Sequence, residues 1–272
     1  MCRVLGVTRS WYYAYSRRGA TKRQRQDQAL VPQIRVIFEG SDKTYGADRT
    51  TKALREQAIR VGKNRVWRLM RENDLVVKTR RRYKVTTNSD HKRPVAPNLV
   101  KQEFRAAAAN RLWTGDITYI RTAKGWLYLA VVLDVFSRRI VGWSMNRRMT
   151  DDLVIAAFEH AVTRRRPSSG FVFHSDRGSQ YCSKRFRALV VTAGGMQSMS
   201  ATGCCYDNAI TESFFGTLKR ELVHHCCFTT RQAARSTIFR YIEGFYNRKR
   251  IHSAIGYVSP EQFEQAYMKM AA

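Results

Sequence analysis

The chain has 272 residues, of which 49 are Lys or Arg and 21 are Asp or Glu, so its formal net charge is +28. A hydrophobic content of 44% is ample for a folded core, and the length predicts one large domain with a small one. Positive charge of this size favours a polyanionic partner, while no stretch is apolar enough to span a bilayer and no secretory signal is visible.

Residues 1–28 are predicted to be an N-terminal stub or tether, in which aromatic residues precede a basic run over 17–25. Residues 29–85 are predicted to form a small helical domain. Its first helix is indicated by apolar residues at helical spacing, namely Val31, Ile34, Ile37 and Phe38. Two more helices are predicted over 47–58 and 63–73.

The third of these helices has one apolar and one basic face. Val66, Leu69 and Met70 are expected to be buried, and the opposite side is polar. Short helices joined by turns, one with a basic face, are typical of a helix-turn-helix DNA reader. The alternative is an ordinary three-helix bundle whose basic face is solvated. The residues assigned to DNA binding on this helix are Lys63, Asn64, Arg65 and Arg68.

A basic run, Arg80-Arg81-Arg82-Tyr83-Lys84, follows directly. Most such runs are simply solvated, but a run between a DNA reader and a second domain is expected to follow phosphates. Residues 86–109 contain Pro94, Pro97 and four consecutive alanines, and are the best candidate for an interdomain linker.

From residue 112 the pattern becomes that of strands. Strands are predicted over 112–120, 126–134, 140–145, 171–174 and 197–199, and helices over 151–164 and 183–193. Further helices are predicted around Glu212, from Thr229 to Tyr246, and from Pro260. The run Asn247-Arg248-Lys249-Arg250 is expected to end the second of these with favourable positive charge. The order βββαβαβα is that of the ribonuclease H-like fold. Residues 110–272 are therefore predicted to be an α/β domain with a mixed five-stranded sheet flanked by helices.

Three carboxylates stand out in this pattern. Asp116 falls in the middle of the first strand, Asp176 just past the fourth, and Glu212 on the following helix. This arrangement would let them meet at one edge of the sheet. Carboxylates from separate elements can hold hard divalent cations such as Mg²⁺ or Mn²⁺. Two such ions, roughly 4 Å apart, clamp the attacking and leaving oxygens of an in-line phosphoryl displacement.

Each acid also has a structural interpretation. Asp176 could cap a turn before Gly178, and Glu212 could be a surface residue of its helix. Asp116 is harder to explain in this way, because aspartate is disfavoured within strands and costly when buried unpaired. Asp134, at the end of the second strand, is expected to have a structural role with Arg138 or Arg139.

The cysteines indicate neither a disulfide framework nor a zinc site. Cys204-Cys205 and Cys226-Cys227 are adjacent pairs, a poor arrangement for stapling a secreted domain. The run His224-His225-Cys226-Cys227 has zinc-ligand residue types, but structural zinc sites normally use spaced pairs. We therefore expect reduced cysteines and a cytoplasmic protein.

The residues around the three acids resemble the DDE motif of transposases and retroviral integrases. Residues 113–120, 174–181 and 207–215 carry the resemblance. So do the 35 residues between Asp176 and Glu212, and the position of Lys219 seven residues after Glu212. The resemblance is closest to OrfB-type proteins of the insertion sequence three family. It extends over nearly the whole chain, through residues 2–7, 44–46, 68–70, 245–248, 250–252 and 259–261.

This resemblance implies a transposase catalytic subunit with a retroviral-integrase-like core. Asp116, Asp176 and Glu212 would be its catalytic residues and would hold two Mg²⁺ or Mn²⁺ ions, with Lys219 and Arg177 contacting DNA nearby. The enzyme would hydrolyse a phosphodiester at a transposon end and direct the exposed 3′-hydroxyl at a second phosphodiester.

The same resemblance implies partners. They are the terminal inverted repeats, target DNA, further copies of the chain and an upstream first-frame protein, joined by frameshift or bound separately. The expected location is the bacterial cytoplasm, at the nucleoid.

Two other functional classes stay open on the sequence. One is a non-cutting DNA-binding regulator, against which the intact acid triad argues. The other is a ribonuclease H-fold nuclease such as a junction resolvase. The basic N-terminal reader and the segment with Asn247, Arg248 and His252 argue against it.

Overall fold

A computed structural model describes residues 2–4, 6–78, 95–101, 103–201 and 208–271. Arg80, Arg81, Arg82 and the first part of the predicted linker lie outside these ranges. The chain divides into two compact units, Met1–Lys78 and Thr79–Ala272. Within the described part of the chain, no helix is both long and apolar enough to cross a membrane.

The first unit is helical. Its helices are α1 (Arg9–Ser16), α2 (Lys22–Gly40), α3 (Ala47–Glu56) and α4 (Lys63–Glu72). Helix α2 begins well before the apolar periodicity that indicated it. Thr21 and Gln24 form a reciprocal capping box at its start, and this satisfies two backbone N–H groups. The residues at 22–28, expected to be a stub or tether, are therefore part of this long helix.

Helices α2, α3 and α4 enclose one apolar core. It is built from Leu30, Ile34, Phe38, Leu54, Val61, Val66, Leu69, Met70 and Leu75. The burial of Val66, Leu69 and Met70 on one side of α4 confirms the prediction from spacing. Helix α1 buries none of its side chains.

The second unit is built on a mixed five-stranded sheet, as predicted. Its strands are β1 (Leu112–Thr122), β2 (Gly125–Asp134), β3 (Ile140–Asn146), β4 (Val172–Ser175) and β5 (Met196–Met199). Their order is β3-β2-β1-β4-β5. The first three strands are antiparallel, while β4 runs parallel to both β1 and β5.

Helices cover both faces of this sheet. They are α5 (Asp151–Arg165), α6 (Lys184–Thr192), α7 (Ala209–Glu221), α8 (Arg231–Phe239) and α9 (Pro260–Ala271). Helices α5 and α6 pack on the face that carries Trp113 and Phe173. Helices α7 and α8 pack on the opposite face, over Ile120 and Leu129. The two apolar layers hold the central strands between them.

Buried polar contacts attach the C-terminal segments to this core. The sequence predicted one helix from Thr229 to Tyr246. Instead, helix α8 ends at Phe239 and a π-helical segment, Arg240–Tyr246, continues it. The Asn247 side chain then pairs with Ile140 as a strand would: its oxygen accepts from the Ile140 N–H at 2.9 Å and its nitrogen donates to the Ile140 carbonyl at 3.0 Å. Helix α9 is anchored by buried Glu264, which accepts bonds from Ser137, Arg139 and Arg165.

Arg250 differs from its expected role as a favourable charge at a helix end. It is 3% exposed and donates to both oxygens of buried Glu221 at the end of α7. Tyr241 donates a further hydrogen bond to Glu221, at 2.7 Å. The buried ion pair between Arg250 and Glu221, together with the Tyr241 hydrogen bond, attaches α7 to the C-terminal segment.

We expect Arg250→Met to lower the free energy of unfolding by about 3–5 kcal/mol, because it leaves the Glu221 carboxylate buried without its cation. The double variant Glu221→Gln/Arg250→Met removes the isolated charge and keeps an acceptor for Tyr241, so it should recover part of the loss. Urea unfolding measures both. Arg185→Met, which breaks a surface pair with Asp151 and Asp152, is the control. Equal losses for Arg250→Met and the control would contradict this account.

Candidate active site

The register of β1 and β4 places two acids side by side. Gly115 of β1 pairs with Ser175, the last residue of β4. The next residue along the chain is an aspartate in both cases: Asp116, still within β1, and Asp176, just past the end of β4. Strand β1 continues to Thr122 with β2 on its other side, so both carboxylates lie where β4 has ended.

Small residues allow this close approach. A Cβ on Gly115 would lie 2.4 Å from the ring of Phe173, and a Cβ on Gly178 would lie 2.9 Å from an Asp176 carboxylate oxygen. Asp176 also accepts a hydrogen bond from the Gly178 N–H at 3.0 Å. The turn at Gly178 therefore orients this acid, as the structural interpretation of Asp176 proposed, without removing it from the site.

The third acid, Glu212, is exposed in the first turn of α7. The residue before it, Thr211, donates a 2.8 Å hydrogen bond to Thr114, two residues before Asp116. Both threonines are fully buried. This bond fixes the start of α7 against β1 and so sets the distance between Glu212 and Asp116.

The three carboxylates repel one another. Burial and the charge of Asp176 raise the pKa of Asp116 well above its usual value, with a further contribution from Glu212. Burial and Asp176 also raise the pKa of Glu212. A hydrogen bond from the Ile117 N–H, at 2.7 Å, acts in the opposite direction and lowers the pKa of Asp116. The arrangement therefore concentrates negative charge that a cation would stabilise.

The chemistry of these donors fits hard divalent cations, because all three offer carboxylate oxygens. Within the described residues, no three His, Cys, Asp or Glu side chains already stand close enough to hold a metal ion. Binding would thus require the acids to draw together. Glu212 is the exposed acid of the three, while Asp116 and Asp176 are half-buried.

Asp134 has the structural role that its position indicated, but with a different side-chain partner. It is fully buried, and its oxygens accept from the Asn110 and Phe136 N–H groups. The nearest guanidinium is that of Arg165, at 3.5 Å. The expected arginines contribute through the main chain: the Asp134 N–H donates to the Arg139 carbonyl at 2.9 Å, and the Arg138 N–H donates to the Asp134 carbonyl at 2.8 Å. The Arg139 side chain pairs with Glu261 and Glu264.

Two basic residues flank the acids. The Lys219 ammonium lies 5.0 Å from the centre of the Tyr119 ring, and its charge acts on Asp116. Arg177 donates from Nε to the Ser200 carbonyl at 2.7 Å. Arg177 thus connects the turn after Asp176 to the end of the β5 segment, while Lys219 stands beside the acids.

The predicted DNA-reading residues of α4 lie in the first unit and are largely engaged there. Arg65 and Arg68 both pair with Asp27 of α2, and Arg68 also pairs with Glu72. The hydrogen bond from Arg68 is the main reason that the pKa of Asp27 is lowered. Lys63 pairs with Asp48 at 2.8 Å, whereas Asn64 is exposed.

Comparisons with known families agree with this division of the chain. Residues 106–205 and residues 212–268 each match an integrase core domain family. Residues 25–83 match the HTH-like domain family. The two integrase matches include all three acids.

Whole-chain relatives are more specific. The chain is 45% identical over 272 residues to the insertion element IS600 uncharacterized 31 kDa protein of Shigella sonnei, covering 100% of both. It is 44% identical over 266 residues to the transposase InsF for insertion sequence IS3A of Escherichia coli (strain K12), covering 97% of this chain and 92% of that protein. This chain belongs to the IS3 family of transposases.

The resemblance stated from the sequence motifs is thereby confirmed. Among solved structures, this IS3-family chain resembles one in the simian T-cell lymphotropic virus intasome in complex with PP2A regulatory subunit B56 gamma. The TM-score is 0.50 at 16% identity, over 86% of this chain and 74% of that one. At that identity the likeness concerns the fold.

Sequence reasoning missed the residues that hold the site together. Thr114 and Thr211 lie within the recognised motif segments, but nothing in their spacing indicates that they meet. Asp27 lay in the supposed stub. Tyr181 is buried near the acids, and burial together with Asp116 and Asp176 raises the pKa of its phenol. Tyr181 ends the motif segment at residues 174–181 but was assigned no role from the sequence.

The raised pKa of Asp116 predicts the pH dependence of stability without metal. Between the unfolded and folded pKa values, the native chain holds a proton that the unfolded chain has lost. The free energy of unfolding should therefore fall as the pH rises from about 4 through the folded pKa. Asp116→Asn should flatten this fall and be more stable than the wild type at pH 7. Urea unfolding in EDTA over a pH series tests it.

Glu159→Gln, at an exposed acid of α5, serves as the control and should follow the wild-type profile. If Asp116→Asn also follows the wild-type pH profile, the raised pKa of Asp116 is not the cause of the pH dependence.

Proposed function

We propose that this IS3-family chain is the catalytic subunit of a DNA transposase, with Asp116, Asp176 and Glu212 as its acid triad. The observation that supports this most is the pairing of Gly115 with Ser175, which sets Asp116 and Asp176 beside each other at the end of β4. Helix α7, bonded to β1 through Thr211, brings Glu212 to the same edge.

Two Mg²⁺ or Mn²⁺ ions would be held by these three acids. When bound, they would supply Lewis-acid stabilisation of the attacking and leaving oxygens of an in-line displacement at phosphorus. Asp116, which interacts electrostatically with both other acids, would be the shared ligand, with Asp176 and Glu212 on either side. Its raised pKa means that protons and cations compete for this carboxylate.

The remaining groups position the DNA. Lys219 would contact a phosphate next to the scissile one, since its ammonium lies over the Tyr119 ring and its charge acts on Asp116. Water would attack first and release a 3′-hydroxyl at the transposon end. The same acids would then serve the attack of that hydroxyl on target DNA, where one P–O bond forms as another breaks.

The two units would divide the work. Residues 29–85 would read the terminal inverted repeat through α4 and follow phosphates through Arg80, Arg81 and Arg82. Residues 86–109 would link them to the catalytic domain at 110–272, in which Arg177 would contact DNA. Such an enzyme would act as a multimer, with an upstream first-frame protein as fusion or partner, on DNA in the bacterial nucleoid.

We expect Asp116→Asn, Asp176→Asn and Glu212→Gln each to abolish strand transfer while leaving DNA affinity in EDTA near that of the wild type. Each change removes one charge and one oxygen ligand from the proposed cation site. Strand transfer is measured on duplexes that carry the terminal inverted repeat of the encoding element, with Mg²⁺ or Mn²⁺. Added Mg²⁺ should raise the melting temperature of the wild type but not that of Asp116→Asn.

Asp134→Asn is the matched control, because it changes a buried aspartate of the same sheet. It should act through stability, since Asp134 accepts two backbone hydrogen bonds and faces Arg165. Undiminished activity in excess chelator would refute the metal requirement. A well-folded but inactive Asp134→Asn beside an active Asp176→Asn would refute the triad.

The DNA-reading role of α4 predicts a loss of specificity. Asn64→Ala should lower the preference for end DNA over random DNA without unfolding the domain, because Asn64 is exposed. Arg65→Ala and Arg68→Ala should be made together with Asp27→Asn, so that no unpaired carboxylate is left. Affinities for both duplexes over a salt series give the measurement.

Arg80, Arg81 and Arg82 changed together to Gln provide the contrast. They should weaken binding to both duplexes alike and lower the salt slope by about 2–3, as expected for three phosphate contacts. Equal losses on end and random DNA for every α4 variant would leave α4 as a plain basic surface.

A further inference from the structure

The turn end of the β1–β2 hairpin exposes two aromatic side chains that the triad does not use. Tyr119 is 41% exposed and Trp126 is 47% exposed. Their rings meet edge to face, with centroids 5.2 Å apart and an interplanar angle of 84°. Two large, adjoining aromatics at the surface are a feature of binding sites rather than of a solvated hairpin.

Cations surround this aromatic pair. Lys219 approaches the Tyr119 ring to 5.0 Å, and Arg231 donates from Nε to the Trp126 carbonyl at 3.0 Å. Arg121 and Lys124 are exposed on the hairpin itself. No acid occurs in the sequence between Asp116 and Asp134. The surface therefore combines π faces with positive charge, which suits an anionic, aromatic ligand.

The aromatic pair stands close to the acids. Tyr119 follows Asp116 by three residues on the same strand, a separation of about 10 Å at the usual rise per residue. The alternation of side chains puts Tyr119 on the opposite face of the sheet, around the edge of β1 that β4 leaves open after Gly115. Lys219 spans this edge: it extends from α7, the helix that also carries Glu212, and its ammonium lies over the Tyr119 ring. A phosphodiester at the acids would thus place a neighbouring nucleotide within reach of the pair.

We propose that Tyr119 and Trp126 form a stacking surface for an unpaired nucleobase of the DNA strand held at the acids, with Lys219 on the adjoining phosphate. The occupant must be unpaired, because bases within a duplex are already stacked on their neighbours. Aromatic side chains beside cations are the usual platform for unpaired bases, and they tolerate any base sequence. This proposal rests on the proposed function, because it assumes that the three acids hold the reacting end of a DNA strand.

The test uses the full chain and oligodeoxythymidine in EDTA, so that binding is separated from chemistry. Tyr119→Ala and Trp126→Ala should each weaken binding by roughly 5- to 150-fold, the range measured for base–aromatic stacking. Tyr119→Phe and Trp126→Phe keep a ring and should bind nearly as the wild type does. Phe239→Ala, at an aromatic of α8 that is 49% exposed, is the matched control and should change nothing.

Other basic surfaces of the chain also attract DNA, so a signal from Trp126 itself is needed to show where the strand binds. The Trp126 fluorescence, obtained as the difference between the wild type and Trp126→Phe, should be quenched by oligodeoxythymidine. An abasic strand of equal length, which has the phosphates but no bases, should leave it unquenched.

Several outcomes would overturn the stacking surface. Wild-type affinity of both alanine variants would do so, as would equal weakening on the abasic strand or equal quenching by the two strands. The proposed function is tested apart from this. Asp116→Asn should keep the quenching whether or not the acids prove to be catalytic, and only its strand transfer bears on the triad.

Discussion

The short pairing between β1 and β4 is the constraint on which the rest of the site depends. Strand β4 has four residues and pairs with β1 only as far as Gly115, whereas β1 runs on to Thr122. The first residues beyond this shared length, Asp116 and Asp176, are brought together by register yet lie at an open edge. Polar side chains at that position keep access to solvent and ligand. The electrostatic cost is visible in the raised pKa of Asp116, and a bound cation would offset it.

The position of the third acid depends on how α7 is anchored. Buried polar contacts hold this helix near both ends: Thr211 bonds to Thr114 at the start, and Glu221 pairs with Arg250 at the finish. Between them Phe214, Phe215 and Leu218 pack into the apolar layer over the sheet. Glu212 projects from a helix whose own packing determines where it lies. A change at Arg250 could therefore alter the site from a distance, through the tilt of α7.

The strands, most of the helices and the places of the three acids on these elements could be predicted from the sequence, because each has a local signature. Alternation, helical spacing and the residues next to Asp116, Asp176 and Glu212 lie within short windows. The contacts that failed to be predicted join residues far apart. Arg250 was interpreted as a helix-end charge but pairs with Glu221, 29 residues away, and Asp27 pairs with Arg65 and Arg68 across 38 and 41 residues. The residues next to an arginine in the sequence do not indicate which acid it will pair with, so its burial can be recognised only in the folded structure.

The same contacts change what the net charge of +28 means. Several arginines are bound to acids of the chain itself, including Arg65, Arg68, Arg139, Arg164, Arg165 and Arg250. Their charge still contributes to long-range attraction of DNA, but part of their hydrogen-bonding capacity is already used. Other cations are better placed for direct contacts, and the β1–β2 hairpin offers two, Arg121 and Lys124, within a stretch that contains no acid. Total charge thus indicates the class of partner, while the distribution of internal ion pairs decides where that partner can be held. In this chain it leaves cations beside the acids, where a phosphodiester would need them.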